Sequence, residues 1–592
     1  MTAATAIATP EPATADPAMA ATGVDVRTRA TWLIPAGLFL LALLIRLAVI
    51  PLASIAPTEG SAYYVGVAAN LVDGHGLVSD AVWSYATAPH VVPKPAFELW
   101  MPLASFVAAV PMLLTGTAGG AALAAAQAGM ALLGALAAPF AWWIGRDAGR
   151  RNGLDARRTR AVAITSGLLA AVLAPFVVAI AGPESSTPFL VAGMLAGALL
   201  PAAVAAPAAP TRARRLIPGL ALGLVLGLAW LARQEAIWLG VSVLVLAVVA
   251  ARAAPASRGR TLLGILGPVI VGGLVAVAPW LLRDLAVFGS PFPGQSVENL
   301  WLRRNEDIFA WADRPTAAAY LARGAGALIG DRVDALFHQV ISVLLLPPFP
   351  VGLAGAVAAV VLRRSPGLRG ATPLALLLLS GLLTFLATAL LFPIATQWGT
   401  FLHASGPLLA GLIVTTALGG DALMARISAR RRWPKVNVIV APIALLALAV
   451  PLLALQLLVV ARGTDRIATR LALVATDVQR EVRGAMDQAG APAAAPSERR
   501  PTLLTDHPMW LAAATGWPAA ALPDEPSTAV GDLAGHLDAS WIVLMDPAGR
   551  QHVPDEADPA WAACLDGAPI RVGPADDPAW LLRIGPGCRH SS

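Results

Sequence analysis

Residues 146–160 read RDAGRRNGLDARRTR, and residues 161–215 continue AVAITSGLLAAVLAPFVVAIAGPESSTPFLVAGMLAGALLPAAVAAPAAPTRARR. Two apolar runs, each long enough to cross a bilayer, are separated by the five-residue turn GPESS and flanked by arginine clusters. A span needs about 20 apolar residues, and short basic loops mark the cytoplasmic side. This stretch therefore reads as a membrane hairpin whose tip, with Glu184, faces away from the cytoplasm.

The same alternation runs outward in both directions. Spans are expected at 31–53, 119–145, 161–181, 186–206, 216–232, 236–251, 261–282, 336–361, 371–392, 403–419 and 436–460, eleven in all. Five intervening loops are basic: Arg146 to Arg160, Arg212 to Arg215, Arg252 to Arg260, Arg363 to Arg369, and Arg426 to Lys435. They carry nearly half of the 42 lysines and arginines, which places them in the cytoplasm. Residues 97–116 are apolar enough to cross, but a further crossing breaks the parity of the basic loops. The segment is expected to lie in or dip into the outer interface, broken by Pro102 and Pro111.

Composition agrees. Of 592 residues, 57% are hydrophobic and 13% charged, and mean hydropathy is +0.68. These values lie outside the soluble globular range. The net charge of +6 is dispersed over loops, which argues against a nucleic-acid partner. Residues 1–30, rich in Ala, Pro and Thr, are expected to be a disordered cytoplasmic leader, and the apolar run after them reads as a first helix rather than a cleaved signal. The N-terminus is then cytoplasmic, and loops 54–118 and 283–335 and the tail after residue 460 are exoplasmic. All four tyrosines and Lys94 fall on that side. The fold class is thus an all-α polytopic membrane protein, residues 31–460, with a soluble exoplasmic α/β domain at 461–592.

The tail is expected to open with an amphipathic helix at 465–488 and an Ala/Pro linker at 490–497. Strand-like runs follow at PTLLT (501–505) and SWIVLMD (540–546), with PDEPS (523–527) between them. Cys564 and Cys588 both lie in this tail, where a bridge is open to them outside the cytoplasm. No internal repeat, P-loop or GxGxxG stands out.

Ionisable groups beside an apolar bundle are expensive and tend to be functional. The first outer loop offers Glu59, the pair Tyr63–Tyr64, Asp73 and His75, and PKPAFELWMPL adds Lys94 and Glu98. Glu184 stands at the GPESS tip. LARQEAIWL places Arg233, Gln234 and Glu235 at the same level, and FPIATQWGTFLHASGP adds Gln397, Trp398 and His403. Each has a plain alternative: an interfacial aromatic belt with solvated acids, an acid at a helix N-terminus, a local Arg–Glu pair, or a hydrogen-bonded histidine. What favours function is convergence of five loops on one membrane face. A transporter would instead carry charge near the bilayer centre, where these spans hold only Arg46.

Read in order, several segments resemble one family. They are an acid upstream of Ala62-Tyr63-Tyr64, then A-N-L-x-x-G-x-G, a PxP…WMPL segment, an acidic second loop, LxRQE, and PWLLRDLAVFGSPFP at 279–293. The tail segment LLTDHPMWLAAATGWPAAALPDEP (503–526) belongs to the same pattern. Together they resemble GT-C membrane glycosyltransferases, in the branch of protein mannosyltransferases and lipid A aminoarabinose transferases. The resemblance implies an inverting transfer from a polyprenyl-phosphate sugar to an exoplasmic cell-envelope acceptor at the bacterial inner membrane. It makes Glu59 and Glu184 the catalytic acids, with Tyr63, Tyr64, Lys94, Glu98, Arg233, Glu235, Arg283 and His403 contacting substrate. Lys94, Arg233 and Arg283 are the expected phosphate ligands. In the family an Asp usually precedes AYY. Here Gly60 and Ser61 stand where Asp-Glu is common, leaving Glu59 adjacent. A single Glu184 without Asp-x-Asp supplies too few oxygens for an obligatory metal, so no cofactor is expected. Two other readings stay open: a catalytically inactive GT-C scaffold that binds a lipid-linked sugar, and a lipid or polysaccharide transporter.

Overall fold

The computed structural model describes residues 23–117, 120–252, 258–293, 295–488, 500–555, 557–586 and 588. The expected linker at 490–497 and most of the leader lie outside them, although helix Gly23–Leu47 already begins within 1–30. Among the described residues, eight helices are long and apolar enough to cross a membrane: Trp32–Leu52, Gly120–Arg151, Ser186–Ala208, Arg212–Ala232, Arg258–Phe288, Pro373–Leu391, Gly406–Arg430 and Val440–Gln488. The protein is a multi-pass membrane protein.

The shortfall from eleven has local causes. The run 161–181 divides at Leu173, whose ψ of 119° is extended, into Ala156–Val172 and Ala174–Val178. Pro175 explains the break, since it cannot donate to the turn before it. The run 336–361 divides into a π-turn, Gln339–Leu345, and a helix, Val351–Val361, across Pro347, Pro348 and Pro350. Ala236–Ala251 has only 16 residues. The disputed segment 97–116 yields Leu103–Thr115, 13 residues begun by Pro102 and ended by Gly116 at φ 80°. Pro111 sits inside this helix rather than breaking it. At 1.5 Å per residue its length is about 20 Å, short of the roughly 30 Å hydrocarbon thickness.

Arg46, the one charge inside the first span, explains itself through that first break. It is fully buried and donates to Ala42 O (3.1 Å), Ala170 O (3.2 Å) and Ala171 O (3.3 Å). The last two are carbonyls at the end of Ala156–Val172, freed where that helix stops. Elsewhere helices approach through glycine. A Cβ at Gly223 would lie 2.0 Å from Val269 O, and one at Gly272 would lie 2.2 Å from Leu220 O, so Arg212–Ala232 and Arg258–Phe288 meet backbone to backbone.

At one end of the bundle the arginine loops meet each other. Arg158 forms a two-pronged pair with Asp421 (3.0 and 2.6 Å), Arg157 donates to Val436 O, and Asn152 accepts from Gly367 N. The other end carries the tail domain. Val440–Gln488 is one unbroken helix of 49 residues, so the amphipathic segment expected at 465–488 is its continuation. Its length of about 74 Å carries it beyond any bilayer. Val474, Val478 and Val482 on its far half pack against the sheet.

The strands are β1 (Val78–Ser79), β2 (Ala81–Val82), β3 (Lys94–Pro95), β4 (Thr502–Thr505), β5 (Ala519–Ala521), β6 (Ala539–Leu544), β7 (Ile570–Val572) and β8 (Ala579–Arg583). The main sheet has the order β2-β5-β4-β6-β8-β7. Its first four strands are parallel, and β8 and β7 join antiparallel. Cys564 and Cys588 form a disulfide. The edge strand β2 comes from the loop at 54–118, so the tail domain's sheet is completed by the membrane part. Sequence patterning of the tail alone contains no trace of this, because β2 has only two residues.

Candidate active site

The site is organised by helix Glu59–Val72. Thr58 and Ser61 form a reciprocal capping box, with Ser61 N donating to Thr58 Oγ1 at 3.0 Å and Thr58 N to Ser61 Oγ at 3.1 Å. Such a box satisfies donors that a helix start leaves free. It also fixes the direction in which Tyr63 and Tyr64 leave the helix, and each joins a different cluster.

On the Tyr64 side stands Glu184. Its Oε1 accepts from Thr58 Oγ1, and its Oε2 lies 2.9 Å from His403 Nδ1. A Cβ at Gly60 would lie 3.3 Å from Glu184 Oε1. The carboxylate thus fills the space beside Gly60 that a longer residue there would claim. Burial pushes its pKa up, but His403, Thr58 and Arg233 together outweigh burial and hold it below the usual carboxylate range. Arg233 is half-buried beside it and ends helix Arg212–Ala232 with extended backbone. It donates to Ser185 Oγ (2.8 Å), Glu235 Oε1 (2.6 Å) and Thr400 O (3.3 Å), and its Nε is buried without a partner. Tyr64 lies beside Arg233 and Ser185, and burial raises its phenol.

On the Tyr63 side lies an aromatic wall. Tyr63 meets Trp100 at 4.6 Å, Phe97 at 5.7 Å and Tyr64 at 5.8 Å between ring centroids, and its oxygen accepts from Phe97 N at 2.6 Å. Trp83 continues the wall to Trp100, Phe309 and Trp398. A small cavity against it is bordered by Lys94 and Glu98. Lys94 sits on β3, opposite Ser79. Its Nζ is 2.6 Å from Glu98 Oε2 and donates to Ser84 O at 2.8 Å. Burial lowers the Lys94 ammonium against the pull of Glu98, and burial raises Glu98 to about 7. Arg283 approaches from helix Arg258–Phe288, paired with Asp284 at 2.9 Å and lying over Trp280, whose ring touches Phe97.

Eight of the ten residues expected at the site from sequence therefore form two adjoining clusters. Glu184, His403, Arg233, Glu235 and Tyr64 make one; Tyr63, Lys94 and Glu98 make the other. Arg283 borders the second through Trp280. Glu59 is placed differently. Its carboxylate accepts from Met509 N (2.7 Å) and Trp510 N (3.3 Å), at the start of helix Pro508–Thr515, and lies 3.5 Å from His507 Nδ1. It is engaged by the tail domain, whereas its neighbour Thr58 is bonded to Glu184. Asp73 accepts from Thr117, and His75 pairs with Asn70, outside both clusters. Gln397 precedes Trp398 at the rim of the aromatic wall.

Sequence reasoning overlooked Thr58, Ser185 and Thr400, which hold Glu184 and Arg233. The T-x-x-S spacing at 58–61 was a legible capping signal; Ser185 and Thr400 had none. It also overlooked the charged chain at the tail-domain contact. His507 Nε2 lies 2.8 Å from Asp546, and Asp546 pairs with Arg470 of the long helix at 3.0 Å. Burial works against a charged His507 ring, but Asp546, Glu59 and Asp506 outweigh it and push the imidazole up to about 10. Asp546 is held down to about 2 by His507 and Arg470. Burial nonetheless drives the Glu59 carboxyl up. Asp546 holds the His507 proton independently of Glu59. Among the described residues no group of three or more His, Cys, Asp and Glu is arranged to hold a metal ion.

No protein-family model matches the sequence, and no curated protein matches it. Solved structures do. ArnT from Cupriavidus metallidurans bound to undecaprenyl phosphate superposes with a TM-score of 0.52 at 14% identity, covering 94% of this chain and 99% of that one. Its apo form gives 0.51 at 14% identity over 96% and 100%. Over nearly its whole length, this chain has the GT-C fold of ArnT.

Proposed function

We propose that the protein is an inverting glycosyltransferase that moves a sugar from a polyprenyl-phosphate carrier to a cell-envelope acceptor on the outer face of a bacterial inner membrane. The observation that carries this reading is a pair between the buried Glu184 carboxylate and the partly exposed His403 imidazole, within the same cluster as the half-buried guanidinium of Arg233. The fold match adds weight, because one of the matched structures holds undecaprenyl phosphate.

The chemistry follows from what such a displacement requires. An acceptor hydroxyl attacks the anomeric carbon, the bond from that carbon to the phosphate oxygen breaks, and the electron pair leaves with the phosphate. The hydroxyl proton needs a base within reach, which the Glu184–His403 pair supplies. The leaving phosphate needs fixed positive charge. Arg233 is the first candidate, with a free Nε and a planar fork suited to two phosphate oxygens. Lys94 and Arg283 are the second and third. Tyr63 and Glu98 line the small cavity beside Lys94, and Tyr64 and Glu235 stand beside Arg233. Gly60 leaves room for Glu184 where the family resemblance leads one to expect a first-loop acid, so Glu184 takes the leading acidic role and Glu59 anchors the tail domain. No divalent cation is needed in this scheme.

The test is transfer of label from radiolabelled polyprenyl-phosphate sugars by wild type and Glu184→Gln, with EDTA in half the reactions. Wild type is expected to transfer label in EDTA, and the variant to lose about 10²- to 10⁴-fold while still binding donor. Donor that is bound but never consumed by wild type would instead establish the inactive scaffold.

A further inference from the structure

We infer that the atom that takes the acceptor's proton is Nε2 of His403, and that Glu184 serves to hold the ring. This rests on the glycosyltransferase reading above and divides the labour within the pair.

Both oxygens of Glu184 are occupied. Oε1 accepts from Thr58 Oγ1, and Oε2 faces His403 Nδ1 at 2.9 Å. The Glu184 side chain is 9% exposed, against 27% for His403. A carboxylate bonded on both oxygens and closed from solvent orients a neighbour well and receives an incoming proton poorly. At 2.9 Å a carboxylate oxygen and a bare ring nitrogen would repel, so the pair favours the tautomer with hydrogen on Nδ1. That leaves the lone pair on Nε2, which has no hydrogen-bond partner among the described residues.

The backbone keeps that nitrogen open. Residue 399 has φ 105°, a conformation suited to glycine, and a Cβ there would lie 3.1 Å from His403 Nε2. Any side chain at 399 would crowd the edge of the ring that must meet the acceptor. Two independent features thus converge on one atom: a buried acid fixes one ring nitrogen, and a glycine clears the other. This is the orienter–base logic of acyl-transfer triads, set here in a turn at the end of a membrane helix bundle. In the step itself the acceptor oxygen bonds to the anomeric carbon and its proton passes to Nε2. The resulting imidazolium is steadied by Glu184, and the carrier phosphate departs toward Arg233. Release of the proton to water restores the ring.

The experiment compares full-length wild type, His403→Ala, His403→Gln and Glu184→Gln in the label-transfer assay, with imidazole and substituted imidazoles of graded basicity added. Both His403 variants are expected to lose about 10²- to 10⁴-fold in kcat, with donor KM little changed. Added imidazole should restore part of the His403→Ala activity, and the restored rate should climb with the basicity of the added compound. A residue that only packs against Glu184 would give no such slope. The inference is overturned if His403→Gln stays within a few-fold of wild type while Glu184→Gln is inert, since the proton then goes to the carboxylate. It is also overturned if rescue is independent of basicity. Absence of transfer by wild type would remove the glycosyltransferase reading itself, an outcome visible before any variant is read. If His403→Ala does not insert, the kcat of His403→Gln decides alone.

Discussion

The contact between the tail domain and the first outer loop should weaken as pH rises, and His507 is the group responsible. Its ring lies between Asp546 at 2.8 Å and Glu59 at 3.5 Å, stacks on Trp510, and is pushed up to about 10. Freed from those partners, an imidazole titrates near 6.5. A ring that binds its proton more tightly when docked lends stability that is complete below about pH 6.5 and is lost as pH climbs through about 10. Taken at face value the shift corresponds to about 5 kcal/mol. Asp546 is 56% exposed, so solvent screening reduces the figure to about 2–3 kcal/mol, or roughly 30- to 150-fold in an opening equilibrium. The assay is amide hydrogen exchange at Met509 and Trp510, whose N–H groups are bonded to Glu59, corrected for intrinsic rates between pH 6 and 10. Protection should fall by that factor in wild type, and His507→Gln should be weakly protected throughout with little slope. A flat wild-type profile, or a variant that keeps the wild-type slope, would refute the assignment.

Two further outcomes follow from packing and polar bonding. Gly223→Ala drives a methyl group to 2.0 Å from Val269 O, where two helix backbones touch along their length; thermal unfolding in detergent should show destabilisation of about 1–3 kcal/mol or more, whereas Gly240→Ala, with open space around it, should be silent. Glu525→Ala removes the buried acceptor of three consecutive amides, Trp311, Ala312 and Asp313; limited proteolysis should then cut the loop at 283–335 at least tenfold faster, since each charge-assisted bond contributes about 1.5–3 kcal/mol.

Sequence carried the fold because membrane insertion simplifies the code: long apolar runs and arginine loops leave few arrangements. It misled where proline acted. A run such as 161–181 is apolar from end to end, yet Pro175 divides it, and hydropathy does not register a missing N–H. The site was half legible. Arg233, Glu235, Glu184 and His403 could be selected because charge at a hairpin tip is conspicuous against an apolar background. Their pairing could not, since it depends on how 182–186, 233–235 and 399–403 cross in space. Glu59 shows the limit most plainly. Beside AYY it reads as a catalytic acid, and only the tail domain, some 450 positions away in the chain, reveals that its carboxylate receives the start of another helix.

That placement limits how the tail domain can move. The tail domain is not a lid resting on the bundle. It shares strand β2 with the first loop, accepts the Tyr85 hydroxyl at Ala521 O (2.5 Å), grips Glu59, and binds the loop at 283–335 through Arg304–Asp524 and Glu525. Lys94 lies on the same loop as β2, 12 residues beyond Val82. Swinging the whole domain away would break a strand pairing, the Tyr85 hydrogen bond and several charged bonds in one step, which makes such a motion costly. The smaller rearrangement is exchange of partners at the cations themselves. Arg233 and Lys94 are held by Glu235 and Glu98 at 2.6 Å each, and an incoming phosphate competes with those carboxylates directly. Glu98, pushed up to about 7, can take a proton and release Lys94 at little expense, so under the proposed function donor entry would need side chains to change partners while the domain stays in place.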